Sequence, residues 1–217
     1  MATYPFWKLH GLGNDFVFFD AMEKELELSA AEVAALCDRH TGIGGDGVIV
    51  AKPSLRSECA GYMHYINADG SLAQMCGNGV RCFAKFLVDH GYVSAESGSF
   101  VADTLAGPKP ITFTVNAENE LATATVDMDA PILEAALVPV ASNAKTSNTH
   151  EGTCAIDAEA IVVQTIESPW GAFTFACVSM GNPHAVCFLD EETFTALPDE
   201  CFTGTPRSLK TLDVARV

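Results

Sequence analysis

The apolar positions of this chain change period several times. Between Asn78 and His90, Val80, Phe83, Ala84, Leu87 and Val88 recur at i, i+3, i+4, i+7 and i+8. That is one buried stripe of a helix, and Gly91 follows as a natural stop. Ser29-Ala30-Ala31-Glu32 has the Ser-x-x-Glu form of a capping box and predicts a helix to about Arg39. Elsewhere apolar residues come in short runs bounded by turn residues. They predict two strands around a loop within residues 7–20, and further strands at 48–50, 62–66, 111–116, 121–127, 161–166, 172–178 and 185–189. Residues 141–153, rich in Ser, Thr and Asn, read as an exposed loop. A boundary falls at Asp127–Pro131 and divides the chain into domains 1–127 and 128–217. The second has strands but no strong helix to cover them, which reads as an incomplete domain.

The predicted helix over 78–90 gives its first turn chemical interest. Cys76, Gly77 and Asn78 fall at its N-terminus, inside Asn67-Ala68-Asp69-Gly70-Ser71-Leu72-Ala73-Gln74-Met75-Cys76-Gly77-Asn78-Gly79-Val80-Arg81-Cys82. A thiol there meets free backbone N–H groups and the positive end of the helix dipole. Both favour thiolate, the form that moves a proton or attacks carbon. The same N–H groups suit a carboxylate. Cys82, within the helix, reads as packing, and Arg81 and Lys85 read equally as positive potential near Cys76 or as a solvated helix face.

Two further segments resemble each other. Gly13-Asn14-Asp15-Phe16-Val17-Phe18-Phe19-Asp20 and Gly181-Asn182-Pro183-His184-Ala185-Val186-Cys187-Phe188-Leu189-Asp190 both run from Gly-Asn into an apolar stretch closed by Asp. This is a weak sign of two related halves. The two asparagines lie about 168 positions apart, which would put a counterpart of Cys76 at about position 244, beyond Val217. Gly42-Ile43-Gly44-Gly45-Asp46-Gly47 formally matches G-x-G-x-x-G. It follows a helix, precedes a strand and carries Asp46, so it is not read as a dinucleotide site.

Taken together, His10–Phe16, Gly42–Gly47, Asn67–Ser71, Met75–Cys82 and Ser179–His184 resemble, in order and spacing, the diaminopimelate epimerase family. The resemblance runs to about Asp190. It implies an α+β fold of two pseudo-symmetric domains, each a β-sheet wrapped around a central helix, with the second incomplete here. It implies two cysteines, one per domain, that face the substrate α-carbon from opposite sides. One thiolate removes the proton and the other thiol returns one, without pyridoxal phosphate, any other cofactor or a metal. By position, Cys76 matches the first catalytic cysteine and His184 a histidine beside it. Asn14, Asn67 and Asn182 match asparagines that hold the substrate, and Gly77 and Asn78 supply donors to its carboxylate. Gly47 departs from members with a side-chain amide there. The family's later asparagine, Glu-Arg pair and second Cys-Gly motif have no match in these residues. The resemblance therefore implies conversion of LL- to meso-diaminopimelate, in lysine and peptidoglycan precursor synthesis, with this chain inactive by itself. The alternatives are a related cofactor-independent isomerase of another acid, or a non-catalytic truncated product.

Such chemistry suits the residues. An amino-acid α-proton is weakly acidic, so preorganised donors around the carboxylate must stabilise a carbanion-like transition state. A tuned thiolate can act as base where water is excluded.

Composition narrows the partners. A net charge of −16 argues against nucleic acid, whose phosphates need Lys and Arg. No apolar run approaches the ~20 residues of a membrane span. No basic segment leads into an apolar core as in a signal peptide. The expected setting is the cytoplasm, with the eight cysteines mostly reduced and no Cys-x-x-Cys pair for structural zinc. The expected partner is a small amino-acid substrate, and the family resemblance implies a homodimer at full length.

Overall fold

The computed structural model describes residues 3–134, 137–138, 145–147, 161–203 and 207–208. The chain divides into two compact units, Met1–Asp129 and Ala130–Val217.

In the first unit the elements run β1 (Trp7–Gly11), β2 (Asn14–Asp20), α1 (Ala30–Cys37), β3 (Gly47–Lys52), β4 (Gly61–Asn67), α2 (Gly77–Asp89), β5 (Ser99–Asp103), β6 (Lys109–Val115) and β7 (Leu121–Val126). The seven strands form one sheet in sequence order. Pairing is antiparallel except for β2–β3 and β4–β5, the two steps that contain a helix. A parallel step needs such a crossover.

Strand periodicity decides the layers. Phe16 and Phe18 of β2, Ile49 and Ala51 of β3, and Met63 and Tyr65 of β4 bury one face. They pack on Val80, Phe83, Ala84, Leu87 and Val88, the stripe read from the sequence, so the sheet wraps α2. The alternate residues Val17, Phe19, Val48, Val50 and Ile66 face the other way, onto Val33 and Cys37 of α1. Central strands covered on both faces read as continuous apolar runs. Each buried aliphatic or aromatic side chain contributes roughly 1.5–3 kcal/mol.

Helix α1 has the predicted capping box. Ser29 Oγ accepts from Glu32 N–H at 3.3 Å, and Glu32 Oε2 accepts from Ser29 N–H at 2.8 Å. It ends at Cys37, short of Arg39, because Asp38 Oδ1 turns the chain by accepting from His40 N–H and Thr41 N–H. Strand β5 was not legible in the sequence. It is five residues long, and its pairing with β6 supplies its register.

The second unit holds a four-stranded antiparallel sheet in the order β11-β10-β9-β8. Its elements are β8 (Lys145–Ser147), β9 (Ile161–Ser168), β10 (Gly171–Ser179), β11 (Pro183–Val186), α3 (Glu191–Ala196) and a 3-10 turn at Asp199–Cys201. Three expectations are corrected here. A strand, β8, interrupts the expected loop at 141–153, whose other residues lie outside those described. The last strand spans Pro183–Val186 rather than 185–189, because its register with β10 begins at Ser179↔Pro183. A six-residue helix, α3, stands where none was expected, its start capped by Asp190 Oδ1 accepting from Thr193 N–H at 2.7 Å. Phe173, Leu197 and Cys201 form the small core of this unit. Among the described residues the unit has no counterpart of α2. The α+β class read from the sequence holds.

Candidate active site

Cys76 is the N-cap residue of α2. Its backbone is extended (φ −147°, ψ 111°), and its Sγ accepts from Gly79 N–H at 3.4 Å. Sulfur here does what a Ser or Asp oxygen usually does at a helix start. The thiol is half-buried and faces the positive end of a 13-residue helix. Gly79 sits close against its neighbours: a Cβ there would lie 3.1 Å from Ile49 Cδ1 and 3.5 Å from Cys76 Cβ, so Ile49 would have to give by a few tenths of an ångström.

The β1–β2 hairpin brings the second component. Its two-residue turn, Leu12-Gly13, has positive φ at both positions, 55° and 90°. This primed turn matches strand twist, although Leu12 occupies a region that disfavours side chains. The turn delivers Asn14 to the start of β2, where Nδ2 donates to Cys76 Sγ at 3.6 Å. Gly11 permits the approach, since a Cβ there would stand 3.0 Å from the Asn78 carbonyl oxygen.

On α2 itself, the Arg81 guanidinium reaches back one turn. Nη1 donates to the Gly77 carbonyl at 3.2 Å and Nη2 donates to Asn78 Oδ1. The sequence pointed to the positive charge of Arg81 but missed these bonds. Lys85 is instead paired with Asp89 at 2.6 Å. Asn67 ends β4 and organises its own turn, with Nδ2 donating to Ser71 Oγ at 3.0 Å. It lies opposite Gly47 in the β3–β4 register. At Gly47 a Cβ would come within 2.6 Å of both Ile66 O and Tyr65 Cε2.

An ion network that sequence reading missed braces the same hairpin. Asp15 is held between Arg39 Nη2 at 2.6 Å and Lys8 Nζ at 2.6 Å, and Arg39 also reaches Asp46 at 2.8 Å. Asp15 N–H donates to Asp46 Oδ2 at 3.0 Å, and Asp46 N–H donates to Asp15 O at 2.7 Å. The Arg39 guanidinium, with help from Lys8 and against some burial, holds the Asp15 carboxyl well below the usual carboxylate range. The only sequence signal was the placement of Asp15 and Asp46 inside two Gly-rich motifs. The glycine loop around Asp46 offers no cradle for phosphate. N–H groups of Gly42, Ile43, Gly44 and Gly45 donate to carbonyls of Asp38, Leu36, Leu36 and Cys37 at the end of α1.

Several of the other described thiols have surroundings unlike that of Cys76. Burial pushes Cys82 up to about 11 and raises Cys37 and Cys187. Cys201 is fully buried. Cys187 follows β11 rather than lying within it, as the sequence had indicated, and is half-buried. Tyr65, packed edge-on against Phe16, is raised to about 12, chiefly by burial.

Asn182 and His184 belong to the second unit. His184 Nδ1 lies 2.9 Å from Asn182 O, and Gly181 has φ 89°. The β10–β11 hairpin thus repeats a local feature of β1–β2: a positive-φ glycine directly before the asparagine that leads into the returning strand. Among the described residues no group of three or more His, Cys, Asp or Glu side chains could hold a metal ion. None of the described helices is long and apolar enough to cross a membrane.

The fold has relatives among solved structures. A probable proline racemase from Agrobacterium radiobacter K84 superposes with a TM-score of 0.56 at 15% identity, over 85% of this chain and 52% of that one. A hydroxyproline epimerase from Agrobacterium vitis gives 0.57 at 13%, over 87% and 52%. At such identities the likeness concerns the fold. Sequence relatives are nearer. The diaminopimelate epimerase of Leptospira biflexa is 37% identical over 186 residues, 86% of this chain and 60% of that protein. That of Agathobacter rectalis is 39% identical over 186 residues, 86% and 61%. The chain therefore spans about 60% of the length of these relatives. The family model described as diaminopimelate epimerase matches residues 6–134. That span contains the capped thiol, the hairpin asparagine and the Asn67 turn, and with it the chain belongs to the diaminopimelate epimerase family.

Proposed function

We propose that this chain carries one half of a cofactor-independent epimerase site for diaminopimelate, with Cys76 as the acid–base group for one face of the α-carbon. The observation that carries this reading is the Cys76 sulfur at the α2 N-terminus, accepting from Gly79 N–H and Asn14 Nδ2 at 3.4 and 3.6 Å. Two donors aimed at one sulfur, at the positive end of a helix dipole, form a setting that suits an acid–base thiol.

As thiolate, Cys76 takes the α-proton, and the electron pair left on carbon delocalises into the substrate carboxylate. Backbone N–H donors at Gly77 and Asn78 and the Asn78 side-chain amide stabilise the charge that develops there. Asn14 holds the thiolate and, with Asn67, the substrate, while the parts taken by Asn182 and His184 rest on the family resemblance alone. A thiol on the opposite face returns the proton, as inversion demands. Of the described cysteines after Cys76, Cys82, Cys177 and Cys201 are buried and burial raises the pKa of Cys187, which supports the reading that none of these four is the second acid. The first domain of this reading is 1–127 and the second begins at 128. A complete enzyme of this kind works as a cytoplasmic homodimer, without pyridoxal phosphate, in lysine and peptidoglycan precursor synthesis.

The experiment is to incubate the pure chain with one diaminopimelate stereoisomer in D₂O and to follow deuterium uptake and stereochemistry together. The expected result is uptake at the α-carbon without conversion, lost in Cys76→Ala. Uptake that persists in Cys76→Ala overturns the role of Cys76. Conversion to the other stereoisomer overturns the one-face reading.

A further inference from the structure

We propose that Arg81 is a positioning residue that decides which end of the Asn78 amide is left free at the α2 N-terminus. Its functional consequence rests on the reading of Asn78 given under Proposed function, whereas the orientation itself does not. Helical side chains lean toward the N-terminus, so a residue one turn in lies over the residues three and four before it. Arg81 does this with both arms of its fork, Nη1 on the Gly77 carbonyl and Nη2 on Asn78 Oδ1. By charge alone the position is unfavourable, because a cation near a helix start opposes the dipole. The two acceptors of a single turn offset that cost.

The consequence follows from hydrogen-bond inventory. A guanidinium has five donors and no acceptor. The amide end that meets it is therefore the oxygen, and Nδ2 with its two N–H groups is the free end. An unheld amide turns about its last bond and presents oxygen as readily as nitrogen, and an oxygen facing a carboxylate repels it. The other side of Asn78 is walled by β1, since a Cβ at Gly11 would lie 3.1 Å from Asn78 Cβ. A lysine at 81 would keep the charge but not the fork, being a single point of charge on a flexible stem.

The test uses the full 217-residue chain, ¹⁵N-labelled, as parent, Arg81→Lys and Arg81→Ala. The Asn78 side-chain NH₂ pair is identified by its loss in Asn78→Ala. Alanine is the best helix former, and the dispersed backbone spectrum reports whether each variant keeps the fold. Both variants are expected to move the Asn78 pair toward the position of a free asparagine. An Asn78 pair unmoved in folded Arg81→Lys assigns the effect to charge and overturns the proposal. A pair unmoved in Arg81→Ala overturns it as well. A parallel titration with diaminopimelate is expected to show binding about tenfold weaker in Arg81→Lys, the loss of one charge-assisted hydrogen bond. A moved amide with unchanged binding overturns the functional half. A parent chain that does not bind diaminopimelate overturns the site reading instead, and the amide spectrum still decides the role of Arg81.

Discussion

The Asn14 side-chain amide donates to the Cys76 sulfur across 3.6 Å, although 62 positions separate the two residues. The contact joins a hairpin to a helix start. It depends on glycine at position 11, where β1 passes the Asn78 backbone. It also depends on the ion network that ties Asp15, next to Asn14, to Lys8, Arg39 and Asp46.

Removing that donor has a measurable effect on the thiol. Asn14→Ala is expected to slow alkylation of Cys76 by iodoacetamide at neutral pH by about tenfold, the scale of one hydrogen bond to a charged group. The rate is read by mass spectrometry of the Cys76 peptide over time. An unchanged rate would leave Gly79 N–H and the helix dipole as the whole of the stabilisation.

Among the described cysteines, Cys76 is expected to be alkylated first in the unmodified chain. Cys82 is pushed up to about 11 by burial and is inaccessible within the core, and Cys187 is raised in the same direction. Peptide mapping after partial alkylation checks the order. Labelling of Cys82 or Cys187 ahead of Cys76 would contradict it.

Stability should fall in acid through Asp15. Its carboxyl is held below the ordinary range in the folded chain by Arg39 first, and then by Lys8 and Asp46. A group depressed in this way contributes stability that is fully present above its unfolded pKa, roughly 3.9 for Asp. That stability is lost as pH falls further toward the folded value. Asp15→Asn is expected to cost about 1–2 kcal/mol at pH 7, between a surface and a buried pair, and less at pH 3. Urea melts of both proteins at the two pH values measure the difference. An equal cost at pH 7 and pH 3 would show that the charge is not what matters.

Position 47 should resist enlargement. A Cβ at Gly47 would stand 2.6 Å from a backbone oxygen and from the Tyr65 ring. Gly47→Ala is therefore expected to destabilise by about 1–3 kcal/mol, the usual cost of overpacking, with Asn worse than Ala. Thermal melts check the order, and a neutral Gly47→Ala would mean that β4 can shift away from β3.

The sequence alone determined whatever depends on local period and local capping. The α2 stripe from Val80 to Val88 is a 3.6-residue pattern, and the Ser29–Glu32 box is complete within four residues, so both helices were legible without any partner. The chemical interest of Cys76 was legible for the same reason, since a helix start is a local property with a local field. Strands β2 and β3 were visible as apolar runs, but not which face met which helix. That followed from Phe16 and Phe18 packing on α2 while Val17 and Phe19 packed on α1. Tertiary structure decided the contacts that join distant segments: Asn14 with Cys76, Arg39 with Asp15 and Asp46, and the register that reveals β5. A charge in a motif does not announce its partner, because an ion pair or a hydrogen bond is a relation between places. Those places meet only once burial of the alternate faces of the sheet has brought the hairpin, the glycine loop and the α2 N-terminus together.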